Sequence, residues 1–383
     1  MAEKRKLFEE VGPEVKTRAA PRTGLIDAQR RGARGPIRGW LIVIFVLVTA
    51  MILVGGLTRL TDSGLSITEW RPVTGAMPPM NAADWDAEFA KYQQSPEFRL
   101  QNHQMDLAAF KSIYWWEWGH RQLGRLIGLV WAAGFVFFAA TRKIPAGWTG
   151  RLAGLGVLGA LQGAIGWWMV SSGLSGPVVD VASYRLAVHL GLAFGILGLS
   201  AWYIFALGRS EADLMQARRS REPRLFAMTT GLMYFALLQV LLGALVAGID
   251  AGRGFPTWPL MGESFFPADA FYVPDGAAWR AFFENPGLVQ FIHRMVGYLV
   301  FGFGLAVWLR GRRSPHPGTV RACDWMAVML FGQVVLGIVT VLHAAPLDLG
   351  LAHQAGAVVL WVLILRARFL ARYPVARQIR GSR

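Results

Sequence analysis

The chain has 383 residues, of which 54% are apolar and 16% charged, and its formal net charge is +15. In a soluble protein this charge would indicate nucleic acid as a partner. Here the basic residues cluster between apolar runs of about 20 residues, as they do in the cytoplasmic loops of membrane proteins. We therefore predict an integral membrane protein that does not bind nucleic acid. The single cysteine, Cys323, excludes a disulfide framework and a cysteine-rich metal site, so any metal chemistry rests on histidine.

Eight apolar segments follow one another along the chain, each long enough to cross a hydrocarbon core of about 30 Å. Clusters of Gly, Pro and charged residues separate them. The pattern predicts an all-α integral membrane protein with eight transmembrane helices. The predicted spans are residues 40–58, 120–140, 151–172, 184–208, 225–249, 288–309, 322–343 and 349–370.

Lys and Arg are distributed unevenly between the spans. They are frequent in the tail over residues 1–38, in the short loops and at the C-terminal end, and rare in two long loops near 59–119 and 250–287. The positive-inside rule then predicts that both termini face the cytoplasm and that the long loops lie on the outer side. The N-terminal tail also contains several Glu residues, which are unusual in transit peptides, so we predict a basic cytoplasmic tail.

The second half of the chain repeats the first. His-Arg-x-x-Gly begins at His120 and recurs at His293, and a looser repeat relates His189-x-Gly to His353-x-x-Gly. An even number of spans separates the copies, so both copies have the same orientation in the membrane. We predict two pseudo-symmetric four-helix bundles. The predicted units are bundles over 39–208 and 225–372, a cytoplasmic linker over 209–224 and a cytoplasmic tail over 373–383.

A second repeated motif lies in the odd-numbered spans. The third, fifth and seventh spans share a Gln-x-x-x-Gly spacing that begins at Gln162, Gln239 and Gln333. The first span keeps only the glycine, Gly55. Small residues in membrane helices let neighbouring backbones approach closely, so this spacing predicts close helix contacts.

Four histidines, His120, His189, His293 and His353, fall within the first one or two turns of predicted even-numbered spans, near the outer face. A histidine at membrane depth is costly without a partner. Interfacial histidines bonded to water or backbone would need no matching between the halves, whereas facing imidazoles from two helices can bind haem iron. We predict the pairs His120 with His189 and His293 with His353. Zinc would be under-ligated by such a pair.

Charged residues beside these histidines differ between the halves. Arg121 and Arg294 could pair with haem propionates, or could simply extend towards the membrane interface. Glu117 precedes His120 by three residues, whereas Gln290 takes the equivalent place in the second half. A carboxylate there could move a proton or stabilise developing positive charge, or could be a helix-start carboxylate favoured by the macrodipole. The asymmetry predicts chemistry in the first half and a fixed redox cofactor in the second.

Several ordered motifs resemble those of the haem A synthase family. They are Gly-Gly-Leu-Thr-Arg-Leu-Thr from Gly55, Trp70-x-Pro, Glu117-x-x-His-Arg and Thr-Trp-Pro-Leu-Met from Thr257. The likeness extends from Trp40 to about residue 372. The chain lacks the cysteine pair that some members carry in an outer loop, so a thiol-dependent role is not implied.

The resemblance implies an enzyme that oxidises the C8 methyl of haem O to a formyl group through a hydroxymethyl intermediate, giving haem A for terminal oxidases. It implies a haem b cofactor, a bacterial inner-membrane location, and haem O synthase, oxidase assembly factors and an unidentified electron partner as associates. The residues carried over by motif are His120, His189 and Arg121 for the substrate haem, His293, His353 and Arg294 for haem b, and Glu117 for catalysis.

Two other function classes compete with this prediction. A membrane cytochrome with two haems could transfer electrons between quinone and a partner, and the fold alone does not distinguish it from an enzyme. However, transmembrane electron transfer requires haems at two depths, and all four histidines are predicted at one. A transporter with repeated halves would show broken helices and polar groups near the midplane, which the sequence does not indicate.

Overall fold

The computed structural model describes residues 25–174, 179–274 and 276–375. This part of the chain is helical and contains no β-strand, which confirms the all-α prediction. The helices, numbered α1 to α13 in chain order, are Leu25–Leu60, Ala82–Tyr92, Pro96–Leu100, Leu107–Ala140, Thr149–Val170, Ser183–Leu207, Glu211–Arg219, Pro223–Gly248, Ala251–Gly254, Ala281–Glu284, Pro286–Gly311, Pro317–Leu342 and Leu347–Arg372.

Eight of these helices contain candidate membrane spans of 22 to 34 residues, the first being Arg34–Leu60 within α1, and they confirm the eight predicted spans. They are α1, α4, α5, α6, α8, α11, α12 and α13. The main difference is α4, which begins at Leu107 although its span was predicted from residue 120. Lys111 and Glu117 interrupt the apolar pattern there. The prediction that His120 lies in the first two turns of its helix is therefore wrong, because it lies about three and a half turns in.

The long helices pack in two groups. In the first, α1 and α5 each contact both α4 and α6, so α4 and α6 face each other across the group. In the second, α8 and α12 each contact both α11 and α13. The groups meet where α6 contacts α8 and α13, and where α1 contacts α13. The predicted linker over 209–224 contains the short helix α7.

The two groups contact each other along α6 through buried side chains and a hydrogen bond. Phe194 and Leu197 of α6 are fully buried, and the indole nitrogen of Trp361 on α13 donates to the backbone oxygen of Phe194 at 3.1 Å. Gly198 makes room for that indole, since a Cβ there would lie 2.8 Å from the Trp361 Nε1. Within the first group, Arg34 of α1 donates to the carbonyls of Ala206 at 2.8 Å and Arg209 at 2.7 Å, at and just beyond the end of α6.

One end of the structure carries residues 61–106 and 249–285, and we call it the long-loop end. Because consecutive long helices run in opposite directions, α4, α6, α11 and α13 all begin there. Arg59, at the end of α1, binds this end together by donating to the Ala247 carbonyl and to Asp250, each at 3.0 Å. Arg59 therefore joins the end of α1 in the first group to the end of α8 in the second.

Residues 61–106 form a cap over the start of α4. Trp85, Tyr92, Phe110 and Tyr114 pack into a buried aromatic cluster between α2 and the first turns of α4. Glu97 of α3 is buried against this cluster, and the loss of water raises the pKa of its carboxyl to about 8. The cap thus fixes the extended part of α4 that the hydropathy pattern did not predict.

Candidate functional site

Each of the four histidines packs against a glycine on the preceding long helix. A Cβ atom added at the glycine would lie 3.0 to 3.2 Å from an atom of the imidazole ring, closer than ordinary van der Waals contact. Only glycine therefore leaves room for the ring at this level of the bundle. The pairs are Gly55 with His120, Gly166 with His189, Gly243 with His293 and Gly337 with His353.

Three of the histidines also contact a glutamine one turn before that glycine. The amide nitrogens of Gln162, Gln239 and Gln333 donate to the backbone oxygen of the histidine at 2.7 to 3.0 Å and lie 3.1 to 3.2 Å from its Nδ1. Their Oε1 atoms are buried and have no hydrogen-bond partner. The Gln-x-x-x-Gly spacing predicted close helix contacts but not this contact to histidine, although its repetition was the signal for it.

The histidines come together in the predicted pairs. His120 on α4 and His189 on α6 lie on helices that face each other across the first group, and His293 on α11 and His353 on α13 lie on helices that face each other across the second. Among the described residues, no group of three His, Cys, Asp or Glu side chains could hold a bare metal ion. Two facing imidazoles with no third protein ligand suit the axial positions of a haem.

The glutamine oxygens provide a further test of whether haem fits. An imidazole that ligates iron through Nε2 carries its proton on Nδ1, and that N–H normally has an acceptor nearby. Each glutamine Oε1 is buried without a partner beside the histidine. A rotation of the amide that exchanged it with the Nε2 lying 3.1 to 3.2 Å from Nδ1 would make it that acceptor, in place of the present Nε2 contacts. The residues present therefore fit the group that the sequence predicted.

Glu117 is buried, with 3% of its surface exposed, and four donors surround its carboxylate. The Ser66 hydroxyl and the Ile67 backbone N–H each donate to Oε2 at 2.7 Å, and Arg121 donates to Oε1 from Nε at 3.0 Å and from Nη2 at 2.6 Å. These four bonds hold the carboxylate in one position. The sequence did not indicate Ser66 as a partner of Glu117.

Arg121 binds the loop that follows α1 as well as Glu117. It donates to the backbone oxygens of Ile67 at 2.7 Å and Glu69 at 3.0 Å. Most of its N–H groups are therefore already bonded, which limits the predicted contact with a propionate. The arginine instead joins the carboxylate, α4 and the loop into one unit.

The second half has the same arginine contacts but a neutral side chain in the place of Glu117. Gln290 is buried to the same degree as Glu117, and its side-chain oxygen accepts a bond from Arg294 at 3.1 Å. Arg294 also donates to the backbone oxygens of Phe255 at 2.9 Å and Leu260 at 3.1 Å. A neutral amide thus occupies the place of the carboxylate.

A cavity of about 340 Å³ lies on the long-loop side of Glu117. Its walls include Ile67, Arg121 and Arg125, and the first two of these are bonded to the carboxylate. The cavity is charged, because its lining includes basic and acidic side chains such as Arg71, Glu88 and Lys91.

Three further histidines lie away from these pairs. His103 is exposed in the cap, His343 is exposed after α12, with its Nδ1 2.8 Å from the Val339 carbonyl, and His316 precedes α12 at the opposite end. None of them joins the four histidines on α4, α6, α11 and α13.

Comparison with known proteins gives a consistent result. The chain is 64% identical over 379 residues to the heme A synthase of Paracoccus denitrificans (strain Pd 1222), with 99% of each chain covered. It is 63% identical over 379 residues to the heme A synthase of Ruegeria sp. (strain TM1040), covering 98% of this chain and 99% of the relative. The heme A synthase of Dinoroseobacter shibae (strain DSM 16493 / NCIMB 14021 / DFL 12) is 64% identical over 384 residues and the whole of both chains.

The profile of the COX15-CtaA cytochrome oxidase assembly proteins matches residues 38–365, which include all four histidines and Glu117. That match covers most of the chain, and relatives of full length share more than three fifths of its residues. The protein therefore belongs to the COX15-CtaA family of cytochrome oxidase assembly proteins.

Proposed function

We propose that this protein is a haem A synthase, a membrane oxidoreductase that oxidises the C8 methyl of haem O to a formyl group through a hydroxymethyl intermediate. The single observation that carries this function is the identity of 63–64% to relatives of that name over the full chain. The matched histidine pairs support it, because both substrate and cofactor of such an enzyme are haems.

The two halves take different haems. His120 and His189 hold the substrate haem O in the first half, and His293 and His353 hold haem b in the second. The division rests on the carboxylate, since Glu117 stands beside the first pair and the neutral Gln290 beside the second. Haem b supplies a one-electron redox centre when bound.

Glu117 acts on the substrate as a fixed negative charge. Loss of two electrons and one proton from the methyl group, with the electrons passing to the electron partner, would make its carbon positive. The Glu117 carboxylate, held by four donors, would stabilise that charge without reorganising. Arg121 holds the carboxylate in place and keeps one Nη1 hydrogen for a propionate. The charged cavity beside Arg121 lets water reach the reacting carbon and lets protons leave.

The protein lies in the bacterial inner membrane with both termini in the cytoplasm. The long-loop end faces outwards, since its loops carry few basic residues, and the four histidine sites lie near that face. The apolar tail of haem O extends between helices into the lipid. The enzyme that makes haem O, oxidase assembly factors and an electron partner are the associates that this reaction requires.

The test is to extract and separate the haems that co-purify with the protein, expressed with and without a source of haem O. Haem A or its hydroxymethyl precursor should appear only in the preparation with haem O, and haem b should appear in both. Haem b alone in both preparations, from folded protein with full haem occupancy, would contradict the synthase and indicate a cytochrome that transfers electrons.

A further inference from the structure

The four histidines are not held equally. His189, His293 and His353 each contact a glutamine amide, whereas the ring of His120 has no hydrogen-bond partner among the residues that the structure describes. In the first span the residue one turn before the glycine is Met51, whose thioether offers no amide hydrogen or oxygen. His120 is therefore the one ligand position without a polar support.

Met51 occupies the same place as a supporting glutamine. A Cβ added at Gly124, four residues after His120, would lie 3.4 Å from the Met51 Cε. In the second half a Cβ added at Gly297, four residues after its histidine, would lie 3.2 Å from the Gln239 Nε2. The two side chains thus fill equivalent space, and the difference between them is chemical.

The His120 ring is also turned differently. At the three supported histidines, the nearest ring atom to the glycine is Cε1, at 3.0 to 3.1 Å from the added Cβ. At Gly55 the nearest atom is the His120 Nε2 at 3.2 Å, followed by Cδ2 at 3.6 Å. The His120 ring thus presents its Nε2 edge to Gly55, whereas the other three rings present Cε1 to their glycines.

We propose that His120 is the axial ligand that can leave the iron of the substrate haem. Met51 is the positioning residue for this release, because it offers His120 no amide group. This inference rests on the proposed function, in which His120 and His189 hold haem O. An unsupported imidazole leaves the iron more readily than one held by a second-shell hydrogen bond. Release of His120 opens a coordination position on its side of the haem, while His189 keeps the substrate in place.

The test uses carbon monoxide as the probe, because it binds only ferrous haem with an open axial position. The full-length protein is purified with haem O bound, reduced, and titrated with carbon monoxide while the Soret spectrum is recorded. In the unmodified protein the haem O fraction should bind carbon monoxide and the haem b fraction should not. Met51→Gln, nearly equal in size, should lower carbon monoxide binding at haem O by about tenfold.

Matched variants separate this role from a change in packing. Met51→Leu adds no amide and should leave carbon monoxide binding within about twofold of the unmodified protein. Gln239→Met removes the support of His293 and should make haem b reactive towards carbon monoxide. The Gln239→Met result stands independently if Met51→Gln fails to fold.

The outcomes distinguish two failures. Carbon monoxide binding that is unchanged in Met51→Gln, with haem O present at full occupancy, would overturn the role of Met51 and leave the proposed function intact. Absence of haem O from the first half of the unmodified protein would overturn the proposed function and this inference with it. Haem b that stays unreactive in Gln239→Met would show that the amide does not control ligand release.

Discussion

The first and second halves of this protein share the arginine contacts beside their first histidines but differ in the charge that the arginine binds. In both halves an arginine directly follows the first histidine and binds the residue four positions before it together with two backbone oxygens of the adjacent loop. That residue is the ionisable Glu117 in the first half and the neutral Gln290 in the second. The two halves thus share the same arginine contacts, and only the first half has a carboxylate within them.

The largest expected effect comes from removing that charge. Glu117→Gln should lower the rate of haem A formation by about a hundredfold to ten-thousandfold, because the neutral amide no longer stabilises positive charge at the methyl carbon. Haem content, measured by extraction, should stay unchanged. Gln290→Glu is the matched control in the other half and should leave the rate within a few fold. An equal loss of haem and activity in Glu117→Gln would show that the role is structural.

The glycines beside the histidines give the next largest effect, and it should be confined to one half. Gly166→Ala places a methyl group 3.0 Å from His189, so the ring must shift and the first half should lose most of its haem O. Gly337→Ala does the same at His353 and should remove haem b instead. Separate extraction of the two haems measures both effects. Loss of both haems in either variant would mean that the halves are not independent.

The glutamines should have a smaller effect on binding than the glycines. Gln333→Met removes the Nε2 contacts to the backbone oxygen and the Nδ1 of His353, and should weaken haem b binding by about 10-fold to 100-fold. The occupancy of haem b against added haem in detergent measures this. Haem O occupancy serves as the internal control. A protein that binds haem b as tightly as before would show that Gln333 serves only helix packing.

The smallest effect concerns the cap, which contacts the first half. Burial raises the pKa of Glu97 from 4.5 to about 8, so the folded protein keeps a proton that the unfolded chain has released between those values. Stability should therefore decrease as pH rises through this window. Glu97→Gln removes that dependence. When the pH is raised from about 5 to about 8, the melting temperature of the variant should therefore decrease by a few degrees less than that of the unmodified protein. Identical pH profiles would contradict the burial argument.

Much of this architecture could be predicted from the sequence. The eight spans follow from runs of apolar residues, and the histidine positions follow from the repeated His-Arg-x-x-Gly motif. These signals survive because membrane helices are apolar for most of their length. The start of α4 was not predictable in this way, since its first turns carry Lys111 and Glu117 and are stabilised by the aromatic cap, a contact between distant parts of the chain.

The partners of the site residues were harder to predict than the residues themselves. The Gln-x-x-x-Gly spacing indicated close packing, but the bond from Gln162 to His189 depends on how far α5 and α6 approach. Likewise, Ser66 meets Glu117 only because the loop after α1 folds back over α4. Hydropathy and spacing describe single helices, whereas these bonds join two elements.

The most direct test of the division between the halves is the haem content of two single variants, His189→Ala and His353→Ala, each expressed with a source of haem O. We expect His189→Ala to retain haem b but to lose haem O and its oxidation products. We expect His353→Ala to lose haem b while it still binds unreacted haem O. Loss of haem b from His189→Ala with retention of haem O would contradict the assignment of substrate to the first half.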